Sequence, residues 1–319
     1  MLGLKELKET IKITKTTVEC PVKGCAQTVA RQSRKDRLSD ARFQCPRDKI
    51  SISPSTFAYQ NEFDNMLWKD DSDRELFESI KKVKRESRID QDNSEDAVTW
   101  NVFRFLEKNK LIGEIIGGML GIDMREPEII YWSYSQSGKN SWPELNRARE
   151  EFGEVLKRSS EPDIIIDSSD ALLFIEAKLT AQNKTEPHDK TNSKKYEIGG
   201  DRWFDRVVRS DYKTVAITDK KYELLRFWLL GTWMANRLGK AFYLVNLVLD
   251  DREKNIEELF RQHIHENDMN KFVRIAWEGV YQQILSDHLS CPDKNGMVNY
   301  FRNKCIGYKA GVLQKAFMT

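Results

Sequence analysis

The sequence has no long uncharged apolar run, so we expect no membrane-spanning helix. Its longest candidate, residues 227–235, falls well short of the roughly 20 apolar residues that cross a bilayer. Residues 1–6 also lack the apolar core of a secretory leader. The mean hydropathy is −0.63. We therefore predict a cytoplasmic protein with no membrane partner.

The sequence also lacks a large net charge. Its 52 Lys and Arg residues nearly balance 50 Asp and Glu residues, which leaves a charge of +2. Because the chain as a whole is not a polycation, any nucleic-acid surface must be a local patch. We interpret residues 81–88 as a solvated helix face, and residues 31–37 stay open. The preferred patch comprises Lys184, Lys190, Lys194, Lys195, Arg202, Arg206 and Arg209.

Cysteine is scarce, and its five residues are an odd number, so a disulfide framework is not expected. Cys20 and Cys25 bracket one short turn, and Cys45 opens a second, Cys45-Pro46-Arg47-Asp48. This pattern resembles a zinc-ribbon-like finger in which a structural Zn²⁺ would stabilise a segment poor in apolar residues. Asp48 stands where a fourth Cys or His is usual. A finger that has lost its metal is therefore the open alternative.

The most informative stretch is residues 161–179, EPDIIIDSSDALLFIEAKL. Two short apolar runs, Ile164–Ile166 and Ala171–Ile175, are separated by small polar residues typical of turns. Runs of this length with such a break predict a β-hairpin. Both runs are apolar on both faces, so we expect these strands to be central in their sheet.

The register of this hairpin decides whether its charges meet. An even loop closing on Ser169-Asp170 pairs Ile166 with Leu173, and by extension Asp163 with Glu176. Lys178 then shares the face of Glu176, because strand side chains alternate with period two. An odd loop would scatter the three groups onto opposite faces. The residues alone leave both registers open.

Two carboxylates placed this close repel each other unless a cation joins them. Mg²⁺ or Mn²⁺, which prefer oxygen ligands, would be a natural partner for Asp163 and Glu176. Lys178 would then orient or activate a water molecule, or stabilise charge that develops on a phosphate. The plainer alternative is an ordinary Glu–Lys ion pair at the end of a surface hairpin.

Pro162-Asp163, followed after a strand-turn-strand by Glu176-Ala177-Lys178, resembles the motif of the PD-(D/E)XK nuclease superfamily. The resemblance covers residues 94–250, in the order helix, three strands, helix, strand. We expect residues 128–134 to form the first of these strands, 180–201 a loop, and 220–238 the second helix with a wide apolar face. The resemblance implies an α/β, restriction-endonuclease-like fold, with a mixed sheet flanked by helices. It also implies metal ligation by Asp163, Glu176 and the backbone carbonyl of Ala177.

The resemblance further implies an acidic residue on the helix that precedes the sheet. Glu95 fits that role, and Asp96 is the alternate. Both lie in the first turn of a predicted helix, where a carboxylate also stabilises the helix dipole. A capping role therefore remains open for either residue.

We predict four segments along the chain. Residues 1–60 form the zinc-ribbon-like module and 61–93 a charged helical linker. Residues 94–250 form the nuclease core, and 251–319 form a helical C-terminal extension.

The leading hypothesis is a metal-dependent endonuclease that hydrolyses phosphodiester bonds in DNA, with a role in restriction or antiviral defence. The alternative is a nucleic-acid-binding or scaffold protein with a vestigial nuclease core. A third interpretation makes the hairpin charges a structural ion pair in an unrelated α/β protein. RNA as substrate and a homodimeric state both stay open.

Overall fold

The structure is a computed structural model that describes residues 6–33, 36–37, 39–84, 87–155, 160–189, 193–286 and 288–317. It contains two compact units. The first consists of Met1–Arg74, Glu86–Asn109 and Glu278–Thr319, and the second of Glu75–Arg85 and Lys110–Trp277. The four consecutive segments expected from the sequence stay a prediction.

The strands are short at both ends of the chain and longest in the middle. They are β1 Thr17–Glu19, β2 Thr28–Ala30, β3 Ser51–Ile52, β4 Phe57–Ala58, β5 Glu128–Tyr131, β6 Tyr134–Ser135, β7 Asn140–Ser141, β8 Ile164–Asp167, β9 Ala171–Ala177, β10 Ala241–Val248, β11 Asn270–Ala276, β12 Cys305–Lys309 and β13 Val312–Lys315.

The helices are α1 Asp71–Lys81, α2 Glu95–Lys108, α3 Gly118–Leu120, α4 Pro143–Glu151, α5 Lys194–Arg202, α6 Phe204–Val207, α7 Tyr222–Leu238, α8 Ile256–Arg261, α9 Trp277–Leu285 and α10 Lys294–Asn303. Single π-helical turns occur at Gly113–Gly117 and Thr214–Thr218.

A seven-stranded sheet in the order β11-β10-β9-β8-β5-β6-β7 forms the centre of the second unit. Strand β10 pairs in parallel with β9 and β11, and the remaining pairs are antiparallel. β8, β9 and β10 are buried almost throughout, as their continuous apolar runs predict. The predicted α/β class, a mixed sheet flanked by helices, is confirmed.

Helix α7 packs its apolar face onto this sheet through aromatic contacts. Phe174 of β9 meets Phe227 edge to face at 6.4 Å, and Phe242 of β10 meets Trp228 at 5.9 Å. The helix can approach this closely because residue 231 is glycine. A Cβ there would lie 2.1 Å from the Phe242 ring.

The first unit contains three two-stranded hairpins, β1–β2, β3–β4 and β12–β13. Their side chains share one buried core, which includes Cys305, Tyr308 and Leu313 of the C-terminal hairpin. A backbone hydrogen bond also joins the C-terminal hairpin to the N-terminal segment, since Leu313 N donates to the Glu9 carbonyl oxygen at 2.8 Å. The N-terminal segment, too poor in apolar residues to form a core alone, thus receives one from the end of the chain.

Two sequence expectations need correction. The extension at 251–319 is not wholly helical, because β11 joins the central sheet and β12–β13 form a hairpin. Residues 128–134 are not one strand. They turn at Trp132 and Ser133, whose φ values of 44° and 71° are left-handed, and the chain returns as β6. A periodicity argument does not detect a turn made by residues with strand propensity.

Candidate active site

The β8–β9 hairpin closes on a turn of two residues. The backbone nitrogen of Ser168 donates to the Ala171 carbonyl oxygen at 2.9 Å, and the Ser168 hydroxyl donates to the same oxygen at 3.0 Å. Ile166 pairs with Leu173. Of the two registers that the sequence left open, the structure has the one with the even loop.

This register brings the predicted charged residues to one end of the hairpin. The last ladder pair is Ile164 with Ile175, and the next positions outward are Asp163 and Glu176. Lys178 lies two residues further along, on the face of Glu176. Its Nζ donates a hydrogen bond to Oε1 of Glu176. The sequence alone could not choose between this arrangement and the scattered one.

Two donors orient the Asp163 carboxylate. Trp132 Nε1 donates to Oδ1 at 3.1 Å, and the backbone nitrogen of Ala177 donates to Oδ2 at 2.9 Å. The Trp132 backbone nitrogen also donates to the Asp163 carbonyl oxygen at 3.1 Å. The left-handed turn at Trp132 and Ser133 therefore places an indole against the predicted metal ligand. Left-handed non-glycine residues cost free energy, which the surrounding packing must offset.

Glu176 is only 4% exposed. Burial raises the pKa of Glu176 well above its usual value, and the nearby charges of Asp163 and Glu223 raise it further. The ammonium of Lys178 lowers the pKa but does not cancel the rise. A further positive charge here would favour the ionised carboxylate, since opposite charges lower a carboxyl pKa.

Glu223 was not singled out by the sequence argument. It lies in the first turn of α7, and its backbone nitrogen donates a hydrogen bond to Oγ1 of Thr185 at 2.9 Å. Its charge acts on Glu176. The signal available in the sequence was a carboxylate at the start of the apolar helix that follows the hairpin.

Asn246 is a second residue that sequence reasoning missed. It pairs with Glu176 in the parallel β9–β10 ladder and is fully buried. Its Oδ1 accepts a hydrogen bond from Asn183 Nδ2 at 2.6 Å, and its Nδ2 donates to Glu253 at 3.3 Å. This network ties the segment after Lys178 to the sheet. The signal available in the sequence was Asn246 itself, the single amide in the apolar run AFYLVNLVL at residues 241–249.

The predicted N-terminal ligands also meet. Sγ of Cys25 and Sγ of Cys45 are 3.8 Å apart, and Asp48 Oδ2 lies 3.5 Å from Sγ of Cys20 and 3.7 Å from Sγ of Cys45. All four ligand atoms fall within 4.8 Å of one another. Ligands of a tetrahedral zinc, at about 2.3 Å for sulfur and about 2.0–2.2 Å for oxygen, are about 3.5–3.8 Å apart. The three distances given above fit that geometry.

Local backbone structure explains why these side chains converge. Gly24 adopts a left-handed φ of 74°, which closes the turn between Cys20 and Cys25. In the second turn, the Asp48 backbone nitrogen donates to Sγ of Cys45 at 3.4 Å. Burial raises the pKa of both Cys20 and Cys25. A cation would reverse that effect, because a coordinating thiol is deprotonated.

Comparison with known proteins identifies the family. A family model described as "Restriction Endonuclease associating with ARP", REase-ARP, matches residues 26–306. The chain belongs to the REase-ARP family. Membership indicates a nuclease role in restriction or defence. No curated protein and no solved structure gives a significant match.

Glu95 and Asp96 of this REase-ARP chain lie in the first turn of α2, which begins after the N-cap Ser94. Helix α2 belongs to the first unit, whereas Asp163 and Glu176 belong to the second. Asp96 accepts a hydrogen bond from the Arg88 backbone nitrogen at 3.2 Å. The role of Glu95 at a metal stays a prediction.

The basic set after the hairpin is largely at the surface. Lys184, Lys194, Arg202, Arg206 and Arg209 are exposed, and Lys195 is half-buried. Lys190 lies outside the described residues, as do parts of the patches at 31–37 and 81–88. The expected loop contains a helix, because α5 begins at residue 194. Contact between this set and nucleic acid stays a prediction.

One finding bears on membranes. Within the described part of this REase-ARP chain, no helix combines the length and the apolar character that spanning a bilayer requires.

Proposed function

We propose that this protein is a divalent-metal-dependent endonuclease that hydrolyses phosphodiester bonds in DNA, in restriction or antiviral defence. The observation that carries the proposal is the meeting of Asp163, Glu176 and Lys178 at one end of the β8–β9 hairpin in a chain of a restriction endonuclease family. This arrangement supplies carboxylate oxygens and an ammonium group on one surface.

The donor set at this end of the hairpin fits a hard divalent cation. Asp163, Glu176 and the Ala177 carbonyl would offer oxygen ligands, which Mg²⁺ and Mn²⁺ prefer. Charging the buried Glu176 costs free energy, and a divalent cation beside it would offset that cost. Such a cation supplies Lewis acidity, which polarises the phosphate and favours loss of a proton from water.

The protein groups have separate tasks in this proposal. Trp132 and the Ala177 backbone nitrogen hold both oxygens of Asp163 in one orientation. Lys178, now bonded to Glu176, would orient the attacking water or stabilise charge on the phosphate. The hydrogen-bonded network at Asn246 would keep the following segment in place.

We also propose that the core is of the PD-(D/E)XK type. The support is the order β5, β8, β9, α7, β10 along the chain. Pro162-Asp163 immediately precedes β8, Glu176-Ala177 ends β9, and Lys178 follows it. In this assignment Glu95 remains a candidate third acidic residue.

The Cys20, Cys25, Cys45 and Asp48 cluster is proposed to hold a structural Zn²⁺. Its support is the convergence of the four ligand atoms, which lie within 4.8 Å of one another. The cluster contributes to the core that the N-terminal and C-terminal hairpins share. Zn²⁺ would therefore stabilise the first unit and would take no part in cleavage.

Partners follow from the same argument. We propose DNA as the substrate, with RNA as the alternative, and the exposed arginines near α6 as contacts to the phosphate backbone.

The family description names association with ARP, and we propose that this chain has such a partner. Two copies of the chain could cut both strands of a duplex as a homodimer.

A cleavage assay tests the enzyme assignment. Plasmid, linear and single-stranded DNA, together with RNA, are incubated with Mg²⁺ or Mn²⁺, with EDTA as a control. We expect cutting by the wild type and none by Glu176→Ala or Asp163→Asn. Asp167→Asn is the matched control, since Asp167 lies at the other end of β8 and pairs with Lys240.

Metal-independent DNA binding without cleavage on any substrate would contradict the proposal and favour a binding protein with a vestigial core. Full activity of Asp163→Asn would contradict the assigned site even if the wild type cuts DNA.

A further inference from the structure

The second unit contains a cavity that the proposed reaction leaves unexplained. It encloses about 430 Å³, and its lining includes Tyr196, Tyr212 and Tyr222. This volume lies within the range of small-molecule sites in proteins, about 300–1,000 Å³. Helix α7 contributes Glu223 to the same lining.

Tyrosines supply an aromatic wall with ordered hydroxyls. The rings of Tyr196 and Tyr212 stack with their centroids 5.8 Å apart and an interplanar angle of 14°. The Tyr196 hydroxyl donates to Oε1 of Glu154 at 2.9 Å and lies 2.9 Å from the Tyr222 hydroxyl. Stacked and hydrogen-bonded rings of this kind are rigid, and they suit a flat ligand with polar edges.

The hydroxyl of Tyr212 is a buried polar group whose hydrogen-bonding capacity a ligand could satisfy. Tyr212 is 2% exposed, and within the described part of the chain its buried hydroxyl has no hydrogen-bond partner. Burying such a group unsatisfied costs free energy, so buried hydroxyls normally have a partner. A ligand in the cavity that carries a donor or an acceptor would provide one.

The charge of the lining restricts what this ligand can be. The charged side chains that line the cavity are Glu154, Glu186, Asp189, Glu223, Lys195 and Arg226.

Carboxylates outnumber cations in this lining, and the guanidinium of Arg226 already has protein partners. The guanidinium of Arg226 makes two bonds to Glu154, one of 2.6 Å, and two more to Ser160. A phosphate would therefore meet net repulsion here. A neutral aromatic ring whose N–H groups donate to carboxylates or hydroxyls fits instead, as cytosine donates its amino group to Asp or Glu.

Glu223 connects this cavity to the candidate active site. It lines the cavity, and its charge also acts on Glu176. Thr185, which lines the cavity too, accepts the hydrogen bond from the Glu223 backbone nitrogen at 2.9 Å. Helix α7 therefore contributes to the wall of the cavity and, through the charge of Glu223, to the surroundings of Glu176.

We propose that this cavity receives one nucleobase of the substrate, turned out of the stack and recognised through its amino and ring N–H groups. The inference rests on the proposed nuclease function for its biological meaning. Enzymes that read an extruded base hold it between aromatic side chains and hydrogen-bond its edge. The tyrosine wall and the acidic rim offer both kinds of contact.

Binding of free nucleosides to the metal-free, full-length protein tests this directly. Saturation-transfer NMR is recorded with cytidine, adenosine and guanosine, which carry amino groups, with thymidine, which lacks one, and with inorganic phosphate. We expect saturable binding of at least one amino-bearing nucleoside and weaker binding of thymidine. Tyr212→Phe, which removes the hydroxyl alone, should raise the dissociation constant by about two- to tenfold.

Tyr281→Phe is the matched control. The Tyr281 hydroxyl is also buried without a partner among the described residues, but Tyr281 belongs to the first unit. Thermal unfolding of both variants shows whether either has lost its fold. Equal loss of binding in the two variants would overturn the proposal, as would binding of phosphate in preference to every nucleoside, or no nucleoside binding by the wild type.

Cleavage by the same preparations is measured separately, so the two proposals fail independently. DNA cutting without nucleoside binding would overturn the base cavity and leave the nuclease in place. Nucleoside binding sensitive to Tyr212→Phe, in a protein that cuts nothing, would retain the cavity and contradict the nuclease.

Discussion

The indole nitrogen of Trp132 lies 3.1 Å from Oδ1 of Asp163 and donates a hydrogen bond to it. The two residues come from different hairpins, since Trp132 forms the turn between β5 and β6 and Asp163 precedes β8. Holding a carboxylate in one orientation is what a metal ligand requires. We therefore treat Trp132 as a positioning residue for the proposed site.

Trp132→Phe should separate this positioning role from a purely structural one. The variant keeps an aromatic ring but loses the N–H, and a hydrogen bond to a charged group contributes about 1.5–3 kcal/mol. We expect the cleavage rate to fall roughly tenfold or more, with a rise in the metal concentration needed for half-maximal activity. Trp142→Phe, which changes another buried tryptophan, controls for packing. The same metal requirement in both variants would contradict the role.

A divalent cation should stabilise the wild-type protein against heat. A ligand that binds only the folded state adds about 2.7 kcal/mol at a concentration of 100 times Kd. Unfolding is followed by calorimetry with and without Mg²⁺, Mn²⁺ or Ca²⁺. We expect an upward shift of Tm in the wild type and in Asp167→Asn, and none in Asp163→Asn. A shift that survives in Asp163→Asn would place the cation elsewhere.

The cysteine cluster should contain one tightly bound zinc per chain. Elemental analysis of the purified protein measures it directly. We expect Cys45→Ser to lose the metal and to lower the free energy of unfolding of the first unit, because structural zinc contributes folding energy. Asp48→Cys should retain zinc, since it completes a four-cysteine site. Cys291→Ser, outside the cluster, is the control, and a metal-free wild type with unchanged stability would refute the site.

Stability below neutral pH should depend on the Glu154–Arg226 pair. Burial by itself would raise the pKa of Glu154, but the guanidinium of Arg226 reverses this and lowers the pKa below its usual value. Because the folded-state pKa is depressed, the stabilisation is complete above the unfolded value of about 4.3 and is lost as the pH falls through the folded value.

Glu154→Gln provides the test of this pH dependence. Breaking a buried ion pair typically costs about 3–5 kcal/mol, so urea unfolding at pH 7 should show a loss of that order. The difference from the wild type should shrink as the pH falls below about 4. Glu144→Gln is the control, since its contact with Arg147 at 3.6 Å is at the surface. A difference that stays constant down to pH 3 would contradict the assignment.

Much of the candidate site was predictable from residues close together in sequence. The hairpin follows from two short apolar runs and the small polar residues between them. Its even loop, with Ile166 paired to Leu173, is one of the two registers that the sequence left open. The two cysteine turns were likewise readable from their spacing. The α/β class was implied by the resemblance of Pro162-Asp163 and Glu176-Ala177-Lys178 to the PD-(D/E)XK motif.

Other parts could not be predicted because their partners are far apart in the chain. Nothing local to Cys20 or Cys45 indicates that Tyr308 and Leu313 complete their core. The turn at Trp132 uses left-handed φ angles at residues that propensity assigns to a strand. Its conformation is set by packing and by the bond to Asp163.

The sequence by itself determined that Asp163, Glu176 and Lys178 belong to one hairpin, because two short apolar runs with a polar break between them are a local signal. It left the register of that hairpin open. Only the tertiary structure decided what surrounds them: Trp132 on Asp163, and Glu223 within range of Glu176. The physical reason is that such contacts join segments whose separation in the chain leaves no periodic pattern. They form only when burial of the apolar strands brings those segments together.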